Sequence, residues 1–194
     1  LPTLLGVGAL LFGATTVFAQ MQSSLNQFWD VRARPSRSGI LAFIAVRLPI
    51  ELLEALLSIC TCLQSSPGGR AARWVAPANI HLTLKFLGDV DNRRLPEVHK
   101  AIGDLCAGIP AFRMDVAGLG CFPNCARPNI VWAGITRGAS DLRGMADAID
   151  TALGRLAFPK ESRPFSGHIT LARADKRATG AELAALGRTI ASQD

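Results

Sequence analysis

The sequence predicts an α+β protein of two pseudo-symmetric lobes, each an antiparallel sheet with helices on its outer face, with a cleft shared between them. Three observations carry this prediction. From Ile40 onward, strand-forming runs and stretches of helical apolar spacing alternate in the same order twice. The tetrapeptide His-x-Thr-Leu occurs at 81–84 and again at 168–171, 87 positions apart, each time after a strand, a helix and a loop. Finally, 49% of the 194 residues are hydrophobic and 19% charged, so the chain is core-forming rather than disordered.

Residues 1–39 form the first segment. No charge occurs before Asp30, and "LLGVGALLFGATTVFA" is similar to the apolar part of a secretory signal, with Val17-Phe18-Ala19 supplying the small residues of a cleavage site. No basic segment precedes it and no methionine starts it, so it reads either as a signal-like leader or as a mis-assigned start. The run is short for a membrane span and contains three glycines, so no stable membrane association is expected. "RARPSRSG" (32–39) reads as a basic linker, which places the folded domain at 40–194.

Within that domain "ILAFIAVRL" (40–48) is a strand, and Pro49 stands at a helix-starting position before "IELLEALLSICTCL". After the loop "SSPGG", "RWVAP" and "IHLTLKFLG" are strand material, and "RLPEVHKAIGDLCAG" (94–108) is a glycine-closed helix. The second half repeats the plan. "FRMDVAGLGCF" (112–122) and "NIVWAGI" (129–135) pair as strands across a Pro/Asn-rich connection. Leu142, Met145, Ile149, Leu153 and Leu156 mark a helix over 140–156, and "GHITLAR" is the matching strand.

Alternation along a strand gives the repeated tetrapeptide its meaning. His81 and Thr83 project to one face, as do His168 and Thr170, while Ile80, Leu82, Leu84 and Phe86 are expected on the opposite, packed face. Two histidines flanking one cleft form an acid/base pair that works near neutral pH. Two hydroxyls and nearby arginines bind non-bridging phosphate oxygens without a metal or other cofactor. One imidazole takes a proton from attacking water and the other protonates the departing ribose oxygen of a cyclic phosphodiester. The net charge of +6, carried mostly by arginine, favours an anionic partner.

The remaining features are blander. His99 lies in a charged helix and reads as solvated, and Trp74, Phe122 and Trp132 are either core residues or base-stacking platforms. The five cysteines are odd in number and match no zinc spacing. They read as mostly buried reduced thiols and favour a reducing, cytoplasmic compartment, with export as the alternative if residues 1–19 are a true signal. "SSPGGRAAR" lacks the end of a phosphate loop, and "GLG" at 118–120 is too short for a dinucleotide fingerprint.

With these residues in view, the chain resembles the 2H phosphoesterase superfamily, in particular its RNA 2′,3′-cyclic phosphodiesterase (2′-5′ RNA ligase) family. The resemblance rests on "LAFIAVRLP", "RWVAPANIHLTLKFLGDV", "GLGCFPNCARPNIVWAGI" and "RPFSGHITLAR", about residues 40–178. It implies hydrolysis of RNA 2′,3′-cyclic phosphate ends to 2′-phosphates, with His81 as proton donor, His168 as acceptor, Thr83 and Thr170 holding the phosphate and Arg173 assisting. The expected partners are RNA ends or cyclic nucleotides, with tRNA halves among them, and a monomer is expected. The alternatives are 2′-5′ ligation and non-catalytic binding of RNA or nucleotides.

Two departures accompany the resemblance, and the reach of Arg173 raises a smaller problem. Gly167 stands where the family usually has proline, which is expected to loosen the start of the strand. The chain stops at Asp194 where the family continues into further strand, so C-terminal strand sequence is expected to be missing. Strict alternation also puts Arg173 on the face opposite His168, so its reach to the phosphate requires the strand to end or bulge after Leu171.

Overall fold

The structure is a computed structural model that describes residues 40–193. The signal-like leader and the linker expected over 1–39 lie outside the described residues. The elements in chain order are β1 (Ile40–Val46), α1 (Ile50–Gln64), β2 (Ala72–Trp74), β3 (Leu82–Val90), α2 (Leu95–Ala107), β4 (Val116–Phe122), β5 (Ile130–Ile135), α3 (Ala139–Gly154), β6 (His168–Ala174) and α4 (Gly180–Ala191). The α+β class with antiparallel strand pairing is as the sequence predicts.

The strands form one sheet in the order β1-β3-β6-β5-β4, with β2 also paired to β6. The two His-x-Thr strands, expected to face each other across a cleft, thus lie side by side and meet at the pair Leu82↔Ile169. Both residues of that pair are fully buried. An antiparallel pair carries a local two-fold axis, so the repeat in the sequence is centred on this contact.

The strongest part of the core lies behind β6. Leu63 of α1 and Leu186 and Ile190 of α4 pack on Ala72, Cys121, Val131 and Ala172. α4 starts with a capping box: the Thr179 hydroxyl accepts from the Glu182 N–H, and the Glu182 carboxylate accepts from the Thr179 N–H. Leu142, Ile149 and Leu153 of α3 are fully buried, and their spacing is the one the sequence marks as apolar. Gly167 is packed rather than loose, because a Cβ there would come within 2.8 Å of Leu142 Cδ2. A side chain at 167 would push on a core leucine.

One buried ion pair ties these layers together. Lys85 of β3, only 2% exposed, donates to the Asp150 carboxylate of α3 and to the Pro159 carbonyl at 2.7 Å. Asp150 also accepts from the Glu161 N–H at 3.1 Å, which fixes the segment leading toward β6.

The chain divides into two compact units, one of Phe43–Leu87 with Pro96–Asp194 and another to which Gly88–Leu95 belongs. Within Gly88–Leu95, the Asp91 carboxylate caps a 3₁₀ turn over Asn92–Arg94 by accepting from the Arg93 N–H at 2.9 Å. The Arg93 guanidinium on the same carboxylate brings its pKa down to about 2. All the residues singled out as a site belong to the larger unit. No helix among the described residues is long and apolar enough to cross a membrane.

Candidate functional site

The register at Leu82↔Ile169 builds the site. In an antiparallel pair the flanking residues also face each other, so His81 lies across from Thr170 and Thr83 across from His168. Leu82 and Ile169 point into the core, so these four side chains point to the other face, and all four are half-buried. The four residues predicted from the repeat therefore come together as a two-by-two array.

Each histidine is held in the same way. His81 Nδ1–H donates to the Asn79 carbonyl at 2.6 Å, and His168 Nδ1–H donates to the Ser166 carbonyl at 2.7 Å, each bonding two residues back. A carbonyl can only accept, so the proton sits on Nδ1 and Nε2 is left for the reacting groups. A phenylalanine braces each ring. Phe43 of β1 stacks on His81 with centroids 4.8 Å apart, and Phe122 of β4 meets His168 edge-on at 5.0 Å. Burial lowers the His81 pKa below the ordinary histidine value. The Asn79 carbonyl opposes this shift and the Arg173 charge adds to it.

Arg173 reaches this face through a bulge. Thr170 pairs with Trp132 and Ala172 with Val131, which leaves Leu171 without a partner on β5. Leu171 and Ala172 are both fully buried, and the alternation resumes one residue late with Arg173 half-buried. The bulge that the sequence requires for Arg173 is thus present. The same burial order recurs in β3, where Leu84 and Lys85 are buried in succession and Phe86 is 61% exposed. The placement of Phe86 on the packed face is therefore corrected. Its ring lies 6.2 Å from Phe43, the same ring that stacks on His81.

A model of a family described as "LigT like Phosphoesterase" matches residues 46–132. An RNA 2′,3′-cyclic phosphodiesterase of Methanothermobacter thermautotrophicus is 30% identical over 132 residues, which are 68% of this chain and 70% of that one. The chain belongs to the LigT-like phosphoesterase family. An RNA 2′,3′-cyclic phosphodiesterase of Aquifex aeolicus is 35% identical over 102 residues. That match takes in 52% of this chain and 54% of the relative, so the chain spans little more than half of the Aquifex protein. The crystal structure of Escherichia coli LigT complexed with phosphate aligns with a TM-score of 0.58 at 27% identity, covering 73% of this chain and 75% of that one.

In this LigT-like phosphoesterase the aromatic residues divide by position. Trp74 packs against the core and donates its Nε1–H to the Gly69 carbonyl at 2.9 Å, as a structural tryptophan would. Trp132 lies opposite Thr170 and so on the site face, in contact with Phe122 at 5.2 Å. The "GLG" run has its use here: a Cβ at Gly120 would come 2.3 Å from the Trp132 ring, so glycine lets the indole lie flat on β4.

No pattern in the sequence marks Arg73. It stands directly opposite Arg173 in the β2–β6 register, on the same face, with Asp175 at 3.8 Å. His99, read as solvated, is exposed on α2. Among the described residues no group of three or more His, Cys, Asp or Glu side chains is arranged to hold a metal.

Proposed function

We propose that the chain hydrolyses RNA 2′,3′-cyclic phosphate ends to 2′-phosphates, without a metal, and that residues 40–194 act as one phosphoesterase domain. The observation that carries this reading is the cross-strand array of His81, Thr83, His168 and Thr170, with neither Nε2 hydrogen-bonded among the described residues. The relatives' name, RNA 2′,3′-cyclic phosphodiesterase, supports the substrate class.

In this mechanism, Nε2 of neutral His168 takes a proton from water as the water oxygen attacks phosphorus. The bond from phosphorus to the ribose 3′ oxygen breaks, and Nε2–H of protonated His81 gives that oxygen its proton. The 2′-phosphate remains on the sugar. The Thr83 and Thr170 hydroxyls donate to the non-bridging oxygens, and the Arg173 charge offsets the growth of negative charge on them. An anionic phosphate beside Arg173 also cancels the repulsion that disfavours the His81 imidazolium, so substrate binding itself prepares the acid. Arg73 next to Arg173 extends the positive edge along which an RNA chain lies. Its place of work is the cytoplasm, where RNA ends such as tRNA halves arise, and it acts as a monomer.

The test is an RNA oligonucleotide with a 2′,3′-cyclic phosphate end, incubated with the protein in excess EDTA. The expected product is the 2′-phosphate, formed at the rate seen without chelator, because the array is built of imidazole, hydroxyl and guanidinium groups and, among the described residues, no set of three or more His, Cys, Asp or Glu is placed to hold a metal. Turnover abolished by EDTA and restored by zinc or magnesium would overturn the metal-free mechanism. RNA binding without turnover in either condition would favour the binding-only alternative.

A further inference from the structure

We propose that Cys121 and Cys125 are a redox-responsive pair that forms a reversible disulfide, stapling the β4–β5 connection behind Phe122. The two sulfurs are in direct contact, with Cys125 Sγ–H donating to Cys121 Sγ at 2.8 Å. A disulfide bond needs about 2.05 Å, so a shift under roughly 1 Å closes it. Cys121 is buried among Val131, Ala172, Leu186 and Ile190, whereas Cys125 is half-buried at the margin of the same cluster. The backbone between them is seated from behind, since a Cβ at Gly187 of α4 would come 1.6 Å from the Cys125 carbonyl oxygen.

The positions give the two thiols different parts in a thiol–disulfide exchange with a small disulfide such as oxidised glutathione. The Cys125 thiolate attacks one glutathione sulfur, forms a mixed disulfide and releases one glutathione thiolate. Cys121 then gives up its proton and attacks Cys125 Sγ, which expels the second glutathione. Two protein thiols and one glutathione disulfide become one protein disulfide and two glutathione thiols. The staple brackets Phe122, the ring that braces His168, and it lies on the core side of β4, away from the array. In a reducing compartment the pair stays as thiols, and an oxidising episode closes it.

The full chain, incubated with oxidised glutathione and then digested with trypsin, tests the proposal. The peptide 114–137 contains Cys121 and Cys125 and no other cysteine. It is expected to lose two hydrogens and to resist alkylation until dithiothreitol is added. The melting temperature of the undigested protein should rise by about 4–8 °C, reversibly, as for a short loop closed in a protein of this size. Cys125→Ser and Cys125→Ala should show neither change. A peptide left with two free thiols, one that stops at a glutathione adduct on Cys125, or a closed disulfide with an unmoved melting temperature would each overturn the proposal.

Discussion

Replacing His81 or His168 with alanine is expected to lower kcat/KM for a 2′,3′-cyclic phosphate end by about 10²–10⁴-fold, the usual worth of a positioned proton-transfer group. Both rings are half-buried and on the open side of the sheet, so neither truncation empties the core. The double variant should be little worse than either single one, because donor and acceptor act as a unit. Thr83→Val and Thr170→Val remove one neutral donor each while the Arg173 charge stays, so each costs less than a histidine does. Steady-state kinetics on folded variants decide this. Near-normal turnover in His81→Ala would defeat the two-histidine scheme.

The largest expected effect on stability comes from Asp150→Ala. The Lys85 side chain is 1% exposed, and among the described residues its ammonium would keep only the Pro159 carbonyl. Removing one partner of a buried pair leaves an uncompensated charge and costs about 3–5 kcal/mol, measurable by urea denaturation. Lys85→Met should cost less, since Asp150 is 19% exposed and keeps the Glu161 N–H. The pair also sets a pH window. Burial pushes the Asp150 carboxyl up, but the Lys85 and Glu161 hydrogen bonds pull it further down, below the ordinary 3.8. Its contribution is therefore full above that unfolded value and is lost as the pH falls through the folded one. Equal destabilisation by Asp150→Ala and Lys85→Met would contradict this account.

Much of the site could be read from the sequence because a strand has a period of two. A His-x-Thr spacing shows which side chains share a face, and a second copy suggests that the two faces act together. What periodicity does not carry is where the alternation breaks. Leu171 and Ala172 are both apolar and look like ordinary strand, yet they form the doubled position that returns Arg173 to the site. Leu84 and Lys85 are likewise buried in succession, and Phe86 lies outward beyond them. That a lysine occupies a buried place depends on Asp150, 65 positions away, which no local pattern signals. The bracing of the two histidines by Phe43 and Phe122 likewise depends on strand order, and so does Arg73 facing Arg173. α1 and α3 were legible from apolar spacing, α3 to within two residues at each end.

The pH dependence of kcat/KM and of kcat on one cyclic-phosphate substrate tests the central claim most directly. With one imidazole needed neutral and His81 needed protonated, kcat/KM is bell-shaped, and the requirement for a protonated His81 brings the loss of rate in base. Burial, and after it the Arg173 charge, lowers the His81 value in the free protein below the ordinary 6.5, so the limb that His81 sets in kcat/KM falls at lower pH than an ordinary histidine would give. A bound phosphate offsets the Arg173 charge, so the same limb should move to higher pH in kcat, which reports the complex. His81→Ala should erase the basic limb and leave the acidic one. A basic limb that persists in His81→Ala, or a His81-dependent limb that stays at the same pH in kcat and kcat/KM, would contradict the assignment of His81 as the acid.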